Sequence, residues 1–215
     1  MTNTNDLIAQ LSGEAKPQQR SIKPARLALR LLAVLLIYAI GAQAISGLRP
    51  DLISKLTDFW YEAEIVSLLF LVLTSAFASI MAMAPDAYQK PALLKLPYVV
   101  FAVIVVLVVT QYVTTTHIEY PIIGIETNGL QCALCLAGLA IIPSAIVFAV
   151  LKKGASIRPL QAGAFAVFTA TGIGCLTLRL AEQTDNMMHL ALWHYLPTLC
   201  FAMLGAILGK FLLKW

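Results

Sequence analysis

Six long apolar runs dominate the chain, at about residues 27–47, 65–84, 97–115, 130–151, 160–180 and 190–211, separated by short polar stretches. Each is close to the ~20 residues that an α-helix needs to cross a hydrocarbon core of about 30 Å. The pattern predicts an all-α, polytopic transmembrane bundle of six helices, residues 26–215, preceded by a soluble segment, residues 1–25. The first run is too long for the core of a secretory signal and ends in no cleavage site, so it reads as a retained anchor. Within residues 1–25, "TNDLIAQLSG" carries a helix-start signal, an apolar face at Leu7, Ile8 and Leu11, and Gly13 as a stop. So short a helix is marginal in water and needs a partner, the membrane surface or contact with its own bundle. The two prolines and basic residues of "EAKPQQRSIKPAR" make a tether to the lipid bilayer. "LRPDLISKLTDFWYEAE", between the first two runs, reads as a short interfacial helix, with Phe59, Trp60 and Tyr61 as an aromatic belt.

Composition agrees with that pattern: 60% of the 215 residues are hydrophobic and 12% charged, at a mean hydropathy of +0.82. Charge then orients the bundle. Twelve of the 15 Lys and Arg residues, from Lys16 and Arg20 to Lys210 and Lys214, fall on the side of the leader and the tail. Only Arg49, Lys55 and Arg179 fall on the other side, where Asp51, Asp58, Glu62, Glu64, Glu119, Glu126, Glu182 and Asp185 gather. Loops rich in Lys and Arg stay cytoplasmic, so both termini are expected inside. The net charge of +4 is a by-product of this topology and no sign of direct nucleic-acid binding.

Spans four to six are rich in small residues, Gly163 among them, and Gly205 and Gly209 form a GxxxG. Small residues let membrane helices approach closely. Gly163, Gly205 and Gly209 are therefore expected at helix contacts, with self-association of two copies through Gly205 and Gly209 left open. Pro143 and Pro197 are expected to distort two of these helices. Ionisable residues are nearly missing from the mid-span regions, and no catalytic or phosphate-binding motif is present. Neither transport nor enzymatic activity is then the first expectation, and no cofactor is implied.

Four cysteines carry the remaining chemistry. Cys132 and Cys135 share a helix face at the start of span four, and Cys175 lies about one turn below the same surface in span five. Three readings stand for them: inert packing, thiol-based sensing by Cys132, Cys135 and Cys175, and a soft-metal site built on Cys132, Cys135 and His189. His117, Met187 and Met188 lie at the same level, and His194 is expected to make an internal hydrogen bond.

Taken together, "NDLIAQL", "LRPDL", "KKGASIRP", "QAGA", "LWH" and "GAILGKFLLKW" give the chain its family likeness. It resembles the NrsF family of six-span bacterial inner-membrane proteins, anti-sigma factors for extracytoplasmic-function sigma factors. The likeness is strongest over residues 152–215, through Gly154, Arg158, Pro159, Gly163, Trp193, His194, Gly205, Gly209 and Trp215. The resemblance implies that the cytoplasmic leader holds a sigma factor at the membrane, through Asp6, Leu7, Ile8 and Leu11, until an envelope stress signal releases it. It also implies thiol sensing, by one cysteine at the outer end of span four and another between spans five and six. Cys132 or Cys135 matches the first. The second is missing from "RLAEQTDN", and Cys175, about two turns earlier, is the nearest substitute. A small-molecule or metal transporter or channel is the alternative function, and a structural subunit of a membrane complex is the third.

Overall fold

A computed structural model gives the architecture. It describes residues 24–84, 91–115, 129–154 and 156–213, together with residues 3, 4, 6, 8, 12 and 13. Six helices are long and apolar enough to cross a membrane: α1 (Pro24–Ser46), α2 (Phe59–Ala82), α3 (Pro91–Thr115), α4 (Gly129–Leu151), α5 (Pro159–Ala181) and α6 (Met187–Leu212). No strand occurs among the described residues. The chain is thus an all-helical, multi-pass membrane protein.

The bundle is built around α5: 83% of an 18-residue apolar stretch of it is buried, against 22% of the corresponding stretches of α1 and α3. Its composition explains the position. A Cβ added at Gly172 would lie 2.9 Å from Val72 of α2, one at Gly174 2.7 Å from Leu136 of α4, and one at Gly163 2.2 Å from the Gly205 carbonyl of α6. One small-residue helix therefore presents three bare faces to three neighbours, and close packing replaces the hydrophobic effect that lipid cannot supply. Gly163, Gly205 and Gly209 meet within one chain, since a Cβ on Gly209 would in turn strike the Pro159 carbonyl at 2.2 Å. The GxxxG face is occupied by α5.

Polar side chains tie the helices together at several depths. Thr169 on α5 and Ser75 on α2 are fully buried and share a 3.1 Å hydrogen bond, while the Tyr38 hydroxyl on α1 donates to the Leu139 carbonyl on α4. Ser156 donates to the Ala82 carbonyl, which caps α2 from the loop that follows α4.

Several boundaries differ from the sequence pattern, α3 among them, which starts at Pro91 and not near residue 97. α2 starts at Phe59, six residues before the apolar run, because Asp58 accepts a hydrogen bond from the Trp60 backbone N–H and so caps the helix. Phe59, Trp60 and Tyr61 accordingly open α2, and the interfacial helix shrinks to one turn, Leu52–Lys55. α6 starts at Met187, where Asn186 accepts from the backbone N–H groups of Met188 and His189. α4 stays helical through Pro143, whereas the turn before Pro197 is π-helical, over Ala191–Tyr195. A proline ring crowds the carbonyl four residues earlier, here that of Trp193, and a widened turn makes room for it.

Candidate functional site

The end of the bundle remote from the leader, the distal end, is where α1, α3 and α5 finish and α2, α4 and α6 begin. It carries two adjoining clusters. The first is a chain of charges that begins with Arg49, just past α1. Its guanidinium is almost fully buried, forks onto both carboxylate oxygens of Asp51 at 2.8 Å, and reaches Asp185 at 3.1 Å. Lys55 also meets Asp185, at 2.6 Å, and the Arg49 backbone N–H donates to the Leu180 carbonyl. Asp185 in turn faces Arg179, 3.4 Å away, whose guanidinium donates at 2.8 Å and 3.1 Å to Glu64. The other Glu64 oxygen accepts a short hydrogen bond from the Tyr195 hydroxyl. Tyr61 lies against both guanidinium groups and donates to the Arg179 carbonyl.

Hydropathy places Glu64 in a loop and Arg179 at the outer edge of its span. Arg179 is in the last turn of α5 as expected, whereas Glu64 lies inside α2, and the two are 1% and 3% exposed. The extra turns given to α2 by the Asp58 cap are what carry Glu64 inward. At 24 residues α2 is about 36 Å long, longer than a hydrocarbon core of about 30 Å, so its first turns need not sit among lipid tails. The signal available in the sequence was the pair of spacings Glu62/Glu64 and Arg179/Glu182, unexpected in otherwise apolar stretches.

Outside the spans, Asp185 has a shifted acidity. Burial works to raise its pKa, but the hydrogen bonds from Arg49 and Lys55 outweigh it and bring the value from the ordinary 3.8 to about 2. A depressed carboxyl stabilises the fold above its ordinary pKa, and the contribution is lost as pH falls through the lowered value. The link between the two distal loops is therefore expected to hold down to pH 3.8 and to fail between there and about 2. Pepsin cleavage between Leu48 and Phe59 should rise across that window. A rise that begins near neutral pH would contradict it.

The second cluster joins α4, the α5–α6 loop and α6. The Cys132 thiol donates to one Glu182 oxygen at 3.3 Å, and Nε2 of His194 lies 3.3 Å from the other. The His189 and His194 rings are 5.5 Å apart. One ligating atom from each of Cys132, Glu182, His189 and His194 falls within 4.8 Å of the other three. His194 is fully buried, yet neither ring nitrogen has a hydrogen-bond partner among the described residues. Its one close polar contact is the 3.3 Å approach of Nε2 to Glu182, within ion-pair range but without the alignment of a hydrogen bond. Burial opposes ionisation of Glu182, but His194 and the Cys132 thiol outweigh it and hold the carboxyl below its ordinary range.

Local structure brings these groups together. The π-helical turn holds His194 and Tyr195, both buried, one in each cluster. Gly129 opens α4 flat against the Trp193 indole, where an added Cβ would lie 2.0 Å from Nε1. That approach places Cys132, one turn on, beside Glu182.

The other expected site residues lie apart. Cys135 is exposed on the outside of the bundle. Cys175 is buried against α6, with Thr198 Oγ1 3.3 Å from its sulfur. Of Cys132, Cys135 and His189, Cys132 and His189 belong to the second cluster and Cys135 does not, because its position on α4 faces away from α6. All four cysteines are free thiols. In the leader, Asp6 and Ile8 are helical and exposed, with Ile8 at 59%, and Gly13 is still helical. Leu7, Leu11 and His117 lie outside the described residues.

No curated protein and no solved structure matches the chain. A family model does, over residues 11–215, described as NrsF, negative regulator of sigma F. Nearly the whole chain is covered, from the leader through all six helices, and it therefore belongs to the NrsF family.

Proposed function

We propose that this protein is an anti-sigma factor of the bacterial inner membrane, which sequesters an extracytoplasmic-function sigma factor through its cytoplasmic leader and releases it on an envelope signal. Family membership over residues 11–215 carries the reading, since the family's name implies negative regulation of a sigma factor. The asymmetry of basic residues supports a cytoplasmic leader and an envelope-facing distal end. Asp6, Leu7, Ile8 and Leu11 are the proposed binding residues. Of these, Asp6 and Ile8 are helical and exposed, which suits a partner's groove. Asp6, Leu7 and Ile8 precede the matched residues, and their role rests on the likeness of "NDLIAQL" together with its apolar face. The distal clusters, where an envelope signal would arrive, lie at the other end of the same helices. Release follows if the signal binds one arrangement of the bundle better than the other.

The test is a pull-down from solubilised membranes, with the intact protein and with a deletion of residues 5–13. A sigma factor should copurify with the intact protein and be lost with the deletion. Its absence from both samples, under reducing and metal-free conditions, would favour a transporter or channel.

A further inference from the structure

We propose that Cys132, Glu182, His189 and His194 form a binding site for a borderline-soft divalent cation of the Zn2+ class. The donor set is one thiol, one carboxylate and two imidazoles, the mixture of nitrogen, sulfur and oxygen ligands that such ions take in four-coordinate sites. The spacing agrees. Bonds of the usual length around a tetrahedral ion set its ligand atoms about 3.3–3.8 Å apart. One ligand atom from each of the four residues lies within 4.8 Å of the others, and the two Glu182 oxygens already approach Cys132 Sγ and His194 Nε2 to 3.3 Å each. Small side-chain movements close the set.

A second observation points the same way. A buried polar atom is nearly always hydrogen-bonded. His194, 0% exposed, offers two ring nitrogens with no hydrogen bond among the described residues, one of them aimed at Glu182. A cation between them satisfies both groups. Cys132 and Glu182, each only partly buried, give it a way in. Binding is a ligand exchange without redox change: the Cys132 thiol gives its proton to solvent, and the thiolate, the carboxylate and two neutral imidazole nitrogens displace water from the ion.

Occupancy ties the first turn of α4 to the α5–α6 loop and to the π-helical turn of α6. That last turn also holds Tyr195, which donates to Glu64. The ion is thereby joined to the neighbouring charge cluster through adjacent residues. That it reports an envelope condition rests on the anti-sigma reading. The binding does not.

The experiment titrates metal-free, full-length protein in detergent with Co2+, followed by absorption, and then displaces it with Zn2+. A thiolate-to-cobalt band in the near ultraviolet, with intense visible bands of a tetrahedral ion, is expected and should vanish with one equivalent of Zn2+. Cys132→Ser should abolish the ultraviolet band, and His189→Gln should weaken binding about tenfold or more. Cys135→Ser should change neither. A Zn2+-dependent, chelator-reversible rise in the melting temperature of the unmodified protein reads the same site without any variant. No cobalt band together with no rise in melting temperature overturns the proposal, and so does a band that persists in Cys132→Ser. Cobalt binding without sigma-factor capture would leave the site standing and sink the anti-sigma reading. Capture without cobalt binding would do the reverse.

Discussion

Arg179→Leu is expected to cost roughly 3–5 kcal/mol, enough to prevent recovery of folded protein from membranes. The reason is the carboxylate left behind. Arg179 and Glu64 side chains are 2% and 4% exposed, so removal of the guanidinium strands a buried negative charge. Tyr195 donates one hydrogen bond to Glu64 but brings no countercharge. Asp185 and the Thr184 carbonyl lose their Arg179 contacts in the same step. Replacement of both partners, Glu64→Leu with Arg179→Leu, should recover much of the loss, because a buried ion pair is often no better than apolar side chains of the same size. Thermal melting of the three variants in detergent checks this. If Arg179→Leu costs only what an exposed pair is worth, about 1 kcal/mol or less, water reaches the pair and the account fails.

Gly163→Leu should be nearly as damaging, through a different mechanism. The missing Cβ of Gly163 faces backbone, with the Gly205 carbonyl at 2.2 Å and the Gly209 Cα at 2.7 Å. Neither can swing aside as a side chain would, so α5 and α6 must separate along their length. Overpacking of a tight core typically costs about 1–3 kcal/mol, and loss of the helix contacts adds to it. Even Gly163→Ala should lower the melting temperature. Gly138→Ala, on α4 with open space around its Cα, is the control and should leave it unchanged. The comparison separates close helix approach from any general intolerance of larger residues.

Much of the architecture was legible along the chain because lipid imposes simple rules. A span must be long, apolar and helical, since no water can satisfy its backbone, and hydropathy alone therefore locates six of them. Closeness of packing was also readable, for Gly163, Gly205 and Gly209 leave a groove wherever their helices run. What faces that groove was not, because GxxxG serves an internal neighbour and a second copy equally well. Burial of α5 between α2, α4 and α6 answers it, with the GxxxG filled from within the chain.

The distal clusters show the limit most clearly. Cys132 and His189 attracted notice as soft ligands near one surface, and Cys135 with them, because residues three apart share a helix face. Which residue each meets depends on helix rotation, and rotation is set by packing. Gly129 against Trp193 turns Cys132 toward Glu182 and leaves Cys135 outside. Glu64 was misplaced because hydropathy marks where apolar residues begin, whereas a helix begins at its cap, Asp58.

By itself, then, the sequence determined the number of spans, their helical nature, the uneven distribution of charge and the family likeness. Each is a property of local composition or of residue order. Only the tertiary structure decided the partners of the buried groups: Arg179 with Glu64, and Cys132 and His194 with Glu182. Arg179 and Glu64 stand 115 positions apart in the sequence, and Cys132 and Glu182 50. Pairing across such distances depends on how whole helices turn against one another, and that is fixed by the summed packing of many side chains.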